Sequence, residues 1–296
     1  MVTGASGILG HAIVRALVER DEVRATVRRG EAGEPLRALG AKVAVLPVEE
    51  PDELIEILPR VHTLVHLVGG VNQPSDDEIL AANHGSTLAA VAAAKEAGTR
   101  RVILLSVLGA SVAHEHPFLR AKGLAEEVVV QSGLEHAVLR SSHAYGLGGL
   151  WFAATVMGAD HGFVIGDGRQ RCAPVLAGDV AQVVAAIDDR SDPVGGTWSL
   201  GGPEELTADE VFAIEGEDRE PMHLAAGEAA ERLTELLGIP VSARATGLFA
   251  MSSVPDAPGA VDAFGVRMTA FEDGLRVVTA EVAEVDGSAD RVRRDA

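Results

Sequence analysis

Short apolar runs alternate with amphipathic stretches along most of the chain. The apolar runs predict buried strands at residues 23–27, 41–46, 63–68, 102–106 and 137–140. The stretches around them predict helices at residues 34–39, 51–58, 75–97, 119–131 and 179–187. Apolar strands that alternate with helices indicate a parallel sheet covered on both faces, and right-handed crossovers make that sheet a doubly wound α/β fold.

The pattern changes after residue 145. Glycine-rich loops appear at residues 146–149 and 162–168, and a last strand is predicted at residues 196–200. From residue 215 onwards helix and loop are predicted, which is typical of a small lobe at the carboxyl edge of the sheet. We therefore predict a first domain at residues 1–145, the last sheet elements with a small, mostly helical lobe at residues 146–283, and a disordered polar tail at residues 284–296.

Three glycines recur at every third position in the opening stretch Met1-Val2-Thr3-Gly4-Ala5-Ser6-Gly7-Ile8-Leu9-Gly10. The apolar residues around them predict a strand, a tight turn and a helix. Positions without side chains let the backbone approach a pyrophosphate, and the start of the helix offers unpaired N–H groups to it. The alternative is a glycine-rich turn that binds no ligand. Only three residues precede Gly4, so either the strand is unusually short or the chain begins upstream of Met1.

Two arginines, Arg28 and Arg29, follow the strand predicted at residues 23–27. They stand about 20 residues past the glycines, where NAD-binding folds place an acidic residue on the ribose 2′-hydroxyl. A guanidinium group instead suits a 2′-phosphate, to which it donates paired, charge-assisted hydrogen bonds. The sequence therefore favours NADP, and NAD stays open. The alternative is that both arginines lie at a solvated strand end.

Composition limits the function classes. The chain has 296 residues, of which 47% are hydrophobic, enough for one large α/β domain or a domain with a smaller lobe. A formal net charge of −19 argues against binding to nucleic acid or to an anionic membrane surface. No apolar run approaches the roughly 20 residues of a membrane span, and no signal peptide opens the chain. The single cysteine, Cys172, excludes an intrachain disulfide and a cysteine-based zinc site, so a cytoplasmic location is the default expectation.

Several short motifs occur in an order that is typical of one superfamily. They are Thr3-Gly4-Ala5-Ser6-Gly7-Ile8-Leu9-Gly10, Asn83-His84-Gly85-Ser86-Thr87, Ala94-Lys95-Glu96-Ala97-Gly98 with Ser106, Leu139-Arg140-Ser141-Ser142 with Tyr145-Gly146, Gly166-Asp167-Gly168 with Asp179-Val180-Ala181, and Gly201-Gly202-Pro203 with Thr207. Together they cover nearly the whole chain. The chain resembles the extended and atypical short-chain dehydrogenase/reductases, above all the NmrA-like branch and the NAD(P)H-binding relatives of an accessory subunit of respiratory complex I.

The resemblance implies a Rossmann domain that binds NADP(H), with NAD(H) as the alternative. The pyrophosphate is expected at the glycine turn, the 2′-phosphate at the arginine pair, and the riboses near Gly69 and Lys122. The cofactor-binding residues implied by this match are Thr3, Gly4, Ser6, Gly7, Ile8, Gly10, Arg28, Arg29, Gly69 and Lys122. The expected partner is a small-molecule substrate of unknown identity, and a homodimer stays open as the oligomeric state.

The departures from the family pattern bear on catalysis. Family dehydrogenases use a Tyr-x-x-x-Lys pair, in which the tyrosine is the general acid and the lysine lowers its pKa. Here the matching segment runs from Phe118 to Lys122, so a phenyl ring without a transferable proton replaces the acid. Ser106 matches the serine that orients a substrate carbonyl, although a serine that ends a buried strand is more often structural. The candidate catalytic residues are therefore Lys122 and Ser106.

Further departures lie outside this pair. Pro47 stands where the family often has an aspartate that contacts the adenine, which leaves the adenine pocket less defined. Ser141 replaces a proline, with little expected effect. The only tyrosine, Tyr145, matches a loop position that shapes the substrate pocket.

Other candidate chemistry is sparse. His114 and His116 form an H-x-H pair that could ligate a metal, but a solvated loop is the favoured interpretation, so no metal site is predicted. One of these histidines is an alternative proton donor. Trp151 and Phe152 either line a pocket or belong to the core. No nucleophile elbow appears.

Three functions fit these observations. The first is a reductase of a small organic substrate such as a quinone or an enone, because hydride transfer to these compounds can use a solvent proton. The second is a non-catalytic cofactor binder that senses redox state or supports an assembly, as some relatives do. The third is a sugar-nucleotide epimerase or dehydratase, which the missing tyrosine disfavours.

Overall fold

The computed structural model describes residues 1–47, 51–215, 219–256 and 259–281. The strands in these ranges are β1 (Val2–Thr3), β2 (Arg24–Val27), β3 (Lys42–Val45), β4 (Thr63–His66), β5 (Arg101–Val107), β6 (Glu135–Ser141), β7 (Ala144–Tyr145), β8 (Phe163–Ile165), β9 (Arg171–Cys172), β10 (Val175–Leu176), β11 (Gly195–Leu200), β12 (Leu206–Thr207) and β13 (Met222–Leu224).

The helices in the same ranges are α1 (Ile8–Val18), α2 (Glu34–Ala38), α3 (Pro51–Ile57), α4 (Asp76–Leu80), α5 (Ser86–Glu96), α6 (Pro117–Val130), α7 (Leu150–His161), α8 (Ala177–Asp188), α9 (Ala208–Glu215), α10 (Ala226–Leu237), α11 (Ala243–Phe249), α12 (Ala260–Phe264) and α13 (residues 271–281). A 3-10 turn spans Gly30–Gly33 and a π turn spans Ala81–Gly85. None of the helices in the described residues is long and apolar enough to cross a membrane.

Seven strands form one parallel sheet in the order β3-β2-β1-β4-β5-β6-β11. The chain builds outwards from β1 through β2 and β3, and then returns to the other side of β1 for the remaining four strands. The carboxyl edge beside this reversal is where a doubly wound sheet binds its ligands. The predicted doubly wound α/β architecture is confirmed, with a helical C-terminal region.

The central strands present alternate side chains to two helical layers. On one face, Val65 of β4 and Ile103 of β5 pack in the core formed with α1 and α8. On the other face, Leu64 and Leu104 pack with α3, α5 and α6. Because both faces are covered, the strands are apolar throughout and show no polar alternation.

The long helix predicted at residues 75–97 is interrupted by a π turn. Its start is capped as the sequence predicts, because the Ser75 hydroxyl accepts a hydrogen bond from the Glu78 N–H at 3.2 Å and donates to the Glu78 carboxylate at 2.8 Å. The π turn at Ala81–Gly85 then carries Asn83, which is completely buried. Such turns within α-helices occur frequently at functional sites.

The predicted lobe, residues 146–283, contains the strand pairs β8 with β13 and β9 with β12, and its strand β10 pairs with β7, which precedes the lobe. Its last helix, α13, is held at its N-terminal end by carboxylates. Asp179 accepts hydrogen bonds from the Thr269 N–H at 2.6 Å and hydroxyl at 3.0 Å, and Glu204 accepts one from the Phe271 N–H at 2.5 Å. Carboxylates satisfy the free N–H groups of a helix start and complement its dipole. The tail predicted at residues 284–296 lies outside the described residues.

Tyr145 serves the core instead of shaping a pocket. Its ring packs edge-on against Phe271 with 5.1 Å between ring centroids, and its hydroxyl donates to the Phe271 carbonyl at 3.5 Å. A Cβ on Gly274 would lie 1.9 Å from that hydroxyl oxygen, so α13 approaches the ring closely. Tyr145 is completely buried, and the family loop position that it matches is here part of the anchor for α13.

Candidate functional site

The turn between β1 and α1 places different demands on its three glycines. Gly4 has φ +71°, and a Cβ there would lie 2.9 Å from the amide nitrogen of Val68. A Cβ on Gly10 would come within 2.5 Å of the Cα of Ala5. By contrast, a Cβ on Gly7 would meet only the Gly4 carbonyl oxygen, at 3.7 Å. The fold therefore requires Gly4 and Gly10, whereas Gly7 leaves open space beside the turn.

The start of α1 is open to an anion. Its N-cap residue, Gly7, has no side chain to cap the helix, and the first turn contains no acidic residue. The first N–H groups of a helix lack intrahelical partners and carry the positive end of the helix dipole. A pyrophosphate at this position would satisfy these groups.

A cleft of about 200 Å³ lies beside this helix start. The residues that line it are Gly4, Ser6, Gly7, Thr26, Val27, Arg28, Leu46, Leu67, Val68, Gly69, Gln73 and Ala82. Thr26 Oγ1 is buried and has no hydrogen-bond partner in the described part of the chain. An unpartnered hydroxyl, an open helix start and the Arg28 guanidinium in one cleft fit a phosphorylated nucleotide.

The two predicted arginines occupy different positions relative to this cleft. Both follow β2 and are exposed, and Arg28 lines the cleft. Within the described ranges, neither guanidinium forms an ion pair. Arg28 is therefore available to a phosphate at the end of β2.

Asn83 fixes the loop that follows β4. Its Oδ1 accepts a hydrogen bond from the Gly70 N–H and its Nδ2 donates to the Gly70 carbonyl, both at 3.2 Å. Its Nδ2 also donates to the Ile79 carbonyl at 2.8 Å. Gly69 has φ +133°, and a Cβ there would lie 2.1 Å from Asn83 Oδ1. No role for Asn83 was predicted from the sequence, although its N-x-x-G-T motif was the available signal.

The Lys122 ammonium group is buried between α6 and β5. Its Nζ donates to the Leu105 carbonyl at 3.1 Å and lies 5.9 Å from the centroid of the Phe118 ring. A Cβ on Gly69 would lie 3.4 Å from this Nζ, so the lysine reaches the loop that lines the cleft. Burial lowers the pKa of Lys122 to about 8, and the Glu126 carboxylate acts in the opposite direction.

Ser106 lies inside β5 and faces α6. Its hydroxyl donates to the Glu126 carboxylate at 2.5 Å, and Arg140 donates to the same carboxylate at 2.6–3.1 Å. Ser106 and Glu126 are both buried. The Ser106 hydroxyl therefore already donates its hydrogen bond to a group within the protein. A catalytic role for Ser106 stays a prediction.

Phe118 occupies the position of the family tyrosine and is 5% exposed. It packs with Ile79 and Leu119, and Leu248 and Met251 of the lobe pack against the same cluster. All of these side chains are apolar, so the cluster supplies no proton donor where the family has one.

The two histidines before α6 form hydrogen bonds within the protein. His116 Nε2 donates to the Arg244 carbonyl at 3.1 Å, and the His116 N–H donates to His114 Nδ1 at 2.9 Å. Burial lowers the pKa of His116, which is therefore neutral near pH 7. Among the residues that the structure describes, no group of three or more His, Cys, Asp or Glu side chains could hold a metal ion.

A third histidine, His66, links the glycine turn to the π turn from within the core. Its Nδ1 shares a hydrogen bond with the Thr3 hydroxyl at 2.8 Å, and its Nε2 lies 3.4 Å from the Ser86 hydroxyl. Burial, assisted by the Lys122 charge, lowers the pKa of His66 to about 3. The neutral His66 imidazole therefore connects Thr3, just before the glycine turn, to Ser86, just after the π turn.

Five predicted cofactor residues meet at the cleft, namely Gly4, Ser6, Gly7, Arg28 and Gly69. The described residues that line it do not include Thr3, Ile8, Gly10, Arg29, Ser106 or Lys122. Contact of these six residues with a cofactor or substrate stays a prediction. Thr26 and Gln73, which also line the cleft, were not predicted from the sequence, because neither residue type carries a recognisable spacing signal.

A second pocket, of about 50 Å³, lies in the lobe. Most of its wall is apolar, and its polar members are His143, Gln170 and Thr155, whose hydroxyl donates to the Trp151 carbonyl at 2.9 Å. The Trp151 indole stacks on the His143 imidazole with 5.1 Å between ring centroids, and Phe249 meets this imidazole edge-on at 5.9 Å. Trp151 thus lines a pocket and also packs, together with Phe152, against the core cluster beside α13.

The fold and the cleft define a class. A doubly wound sheet whose first glycine turn opens onto a nucleotide-sized cleft is the architecture of dinucleotide-binding proteins. Residues 4–147 match the family described as NAD(P)H-binding. The triphenylmethane reductase of Citrobacter sp., solved in complex with NADP(H), shares the fold with a TM-score of 0.74 and 17% identity, over 94% of this chain and 99% of that one. The superfamily predicted from the motifs, the short-chain dehydrogenase/reductases, is confirmed.

Two curated relatives extend the comparison. The mitochondrial NADH dehydrogenase [ubiquinone] 1 alpha subcomplex subunit 9 of Arabidopsis thaliana is 30% identical over 227 residues, which are 72% of this chain and 56% of that protein. The photosystem II assembly factor Ycf39 of Cyanophora paradoxa is 28% identical over 142 residues, 47% of this chain and 44% of that protein. The chain spans about half the length of each of these relatives.

Proposed function

We propose that the chain binds NADP(H) in the cleft beside α1 and reduces a small organic substrate, a quinone or an enone. The observation that carries this proposal is the convergence of the open α1 start, the unpartnered Thr26 hydroxyl and the Arg28 guanidinium in one cleft. The cofactor, when bound, supplies the hydride. Asn83 holds the loop at Gly69 in place, and the buried Lys122 ammonium group places a positive charge behind that loop.

The apolar cluster around Phe118 supports a substrate that needs no acid from the protein. Hydride addition to a quinone or an enone leaves an oxyanion that is delocalised over the conjugated system and takes its proton from solvent. Hydride addition to a simple ketone leaves a localised alkoxide, which is stabilised by a positioned general acid. The same cluster disfavours sugar-nucleotide epimerisation, for which the family tyrosine is needed.

The reductase proposal is tested by NADPH oxidation with a panel of quinones, enones, ketones and aldehydes. We expect steady oxidation with at least one quinone or enone and none with simple ketones. Rates are compared with those of a Gly7→Val variant, which controls for reduction that does not use the cleft. No turnover with any conjugated substrate, despite tight NADPH binding, would contradict the reductase proposal.

Arg28→Ala is expected to weaken NADPH binding by about 10–100-fold and to leave NADH binding unchanged, because a charge-assisted hydrogen bond contributes about 1.5–3 kcal/mol. Calorimetric titration with both cofactors measures this. Arg267→Ala is the matched control, since Arg267 is exposed and is not among the described residues that line the cleft. Equal affinities of the wild type for NADPH and NADH would show that Arg28 does not bind the 2′-phosphate.

A second candidate function is non-catalytic cofactor binding in support of an assembly. The buried phenyl ring of Phe118 favours it, and so do the two relatives named as a complex subunit and as an assembly factor. Tight NADPH binding without turnover of any substrate in the panel is the result that favours this function. A cytoplasmic location and a homodimer stay predictions.

A further inference from the structure

The pocket in the lobe contains two buried polar atoms that lack a hydrogen-bond partner among the described residues. They are Nε2 of His143 and Oε1 of Gln170, and both side chains line the same pocket. Buried polar groups in folded proteins are nearly always paired, and an unpaired one is destabilising. Two such atoms in one pocket therefore indicate a polar group of a ligand.

The orientation of the Gln170 amide is set by a neighbour. Its Nε2 donates to the Ile165 carbonyl at 2.5 Å. Reversing the amide would bring two carbonyl oxygens together, so Oε1 remains as a pure acceptor at the pocket. The ligand must therefore supply an O–H or N–H donor.

The pocket excludes charged ligands. None of the described residues that line it is an Asp, Glu, Lys or Arg. Burial lowers the pKa of His143 to about 4 and raises the pKa of the Cys172 thiol to about 12, so both groups are neutral near pH 7. A charge placed here would have no counter-ion, and its desolvation would be unfavourable.

The walls and the size indicate an aromatic ligand that enters edge first. Trp151, Phe163, Phe212 and Phe249 supply aromatic surface. A cavity that encloses benzene measures about 150 Å³, whereas this pocket measures about 50 Å³. Trp151 and Met251 are partly exposed, so the pocket reaches the surface and the remainder of a ring can lie there. The flexible thioether of Met251 can adjust to a ring edge.

We propose that this pocket binds the hydroxyl-bearing edge of a single uncharged aromatic ring, that is, a phenol. The hydroxyl donates to Gln170 Oε1 and pairs with His143 Nε2, while the ring edge packs against Trp151 and Phe249. The inference does not depend on the proposed reductase activity. It adds to it, because the reduced form of a quinone is a phenol and Met251 packs against both this pocket and the Phe118 cluster.

The experiment uses Trp151 as a reporter. The chain has two tryptophans, and Trp198 packs against Phe264 away from the pocket, so Trp198→Phe leaves Trp151 as the only indole. Phenol and toluene are titrated into this variant without cofactor, with excitation at the red edge of indole absorption, where neither compound absorbs. We expect saturable quenching by phenol, with an affinity about 10-fold higher than that of toluene, because only phenol satisfies the two polar atoms.

Two pocket variants in the same background locate the effect. His143→Phe keeps an aromatic ring against Trp151, and Gln170→Leu removes the acceptor. Each is expected to lower phenol affinity to the level of toluene and to leave toluene affinity unchanged, which shows that the pocket is intact. Gln182→Leu, the same change at an exposed position of α8, should have no effect.

Several results would overturn the proposal. These are equal affinities for phenol and toluene, the absence of saturable binding, and phenol binding that neither pocket variant weakens. If Gln170→Leu also loses toluene binding, that substitution has disrupted the pocket itself, and the effect of His143→Phe on phenol affinity then tests the proposal. NADPH titration of the same proteins is read separately, so failure of the phenol site and failure of the cofactor site are distinguishable.

Discussion

Gly7→Val is expected to abolish measurable NADPH binding while the protein remains folded. The backbone at Gly7, with φ −78° and ψ 169°, suits a β-branched residue, and a Cβ there meets only the Gly4 carbonyl oxygen at 3.7 Å. The isopropyl group would fill the space at the start of α1 that a pyrophosphate needs. Loss of two charge-assisted hydrogen bonds, each of about 1.5–3 kcal/mol, lowers affinity by roughly 10²–10⁴-fold. Calorimetric titration and thermal unfolding measure the two properties separately.

Two other glycines serve as controls for this variant. Gly195→Val changes an exposed strand position with no heavy atom within 4 Å of the added Cβ, so it should keep both NADPH binding and stability. Gly10→Val should unfold the domain, because its Cβ would come within 2.5 Å of the Ala5 backbone. If Gly7→Val bound NADPH normally, the phosphates would lie elsewhere. If the unfolding temperature were lowered in Gly7→Val but not in Gly195→Val, the loss of NADPH binding would be attributed to unfolding and not to a blocked pyrophosphate site.

The sheet and the proposed cofactor cleft were predictable from the sequence because their signals are local. Strands buried on both faces are continuous apolar runs, so the prediction at residues 102–106 differs from β5 by one residue at each end. The proposed phosphate site depends on one short turn, in which the backbone geometry requires glycine at Gly4 and Gly10. Arg28 is placed by the end of β2, which the same pattern locates.

Features that depend on contacts between distant segments were not accessible. Arg100 and Arg101 are adjacent in sequence, yet Arg101, the first residue of β5, is completely buried, whereas Arg100 precedes the strand and is exposed. Arg101 donates to the Ile187 carbonyl at 2.6 Å and to the Glu135 carboxylate at 2.9 Å, and so joins β5 to the end of α8. Arg100 also donates to the Glu135 carboxylate, at 2.6 Å, and no short pattern indicates which of the two arginines is buried against the end of α8.

The lobe pocket illustrates the same limit at a site. His143 and Gln170 are 27 positions apart, and the ring of Phe249 lines the pocket from the end of α11. The signal for such a site is an unpaired buried atom, which exists only once the chain is folded. Trp151 was recognised as a pocket candidate by residue type alone, without a partner.

Phe118→Tyr is expected to create ketone reductase activity that the wild type lacks. Phe118 and Lys122 share one face of α6 as an i, i+4 pair, and Lys122 Nζ lies 5.9 Å from the centroid of the phenyl ring. The substitution adds one hydroxyl beside a buried cation, which lowers the pKa of a phenol. General acid catalysis contributes roughly 10²–10⁴-fold, so the variant should reduce ketones measurably above the wild-type background.

The measurement is NADPH oxidation with simple ketones and, in parallel, with quinones. Quinone reduction should change little in Phe118→Tyr, because its oxyanion takes a solvent proton and does not use the new acid.

Phe152→Tyr is the matched control, since it adds the same hydroxyl to a partly buried ring in the core cluster beside α13. The double variant Phe118→Tyr/Lys122→Met should lose the gain, because the hydroxyl then has no cation to lower its pKa. Ketone reduction by the wild type at ordinary enzyme rates would show that another donor, with His116 as the first candidate, acts in place of the tyrosine. Equal gains in the single and double variants would show that Lys122 takes no part in activating the hydroxyl.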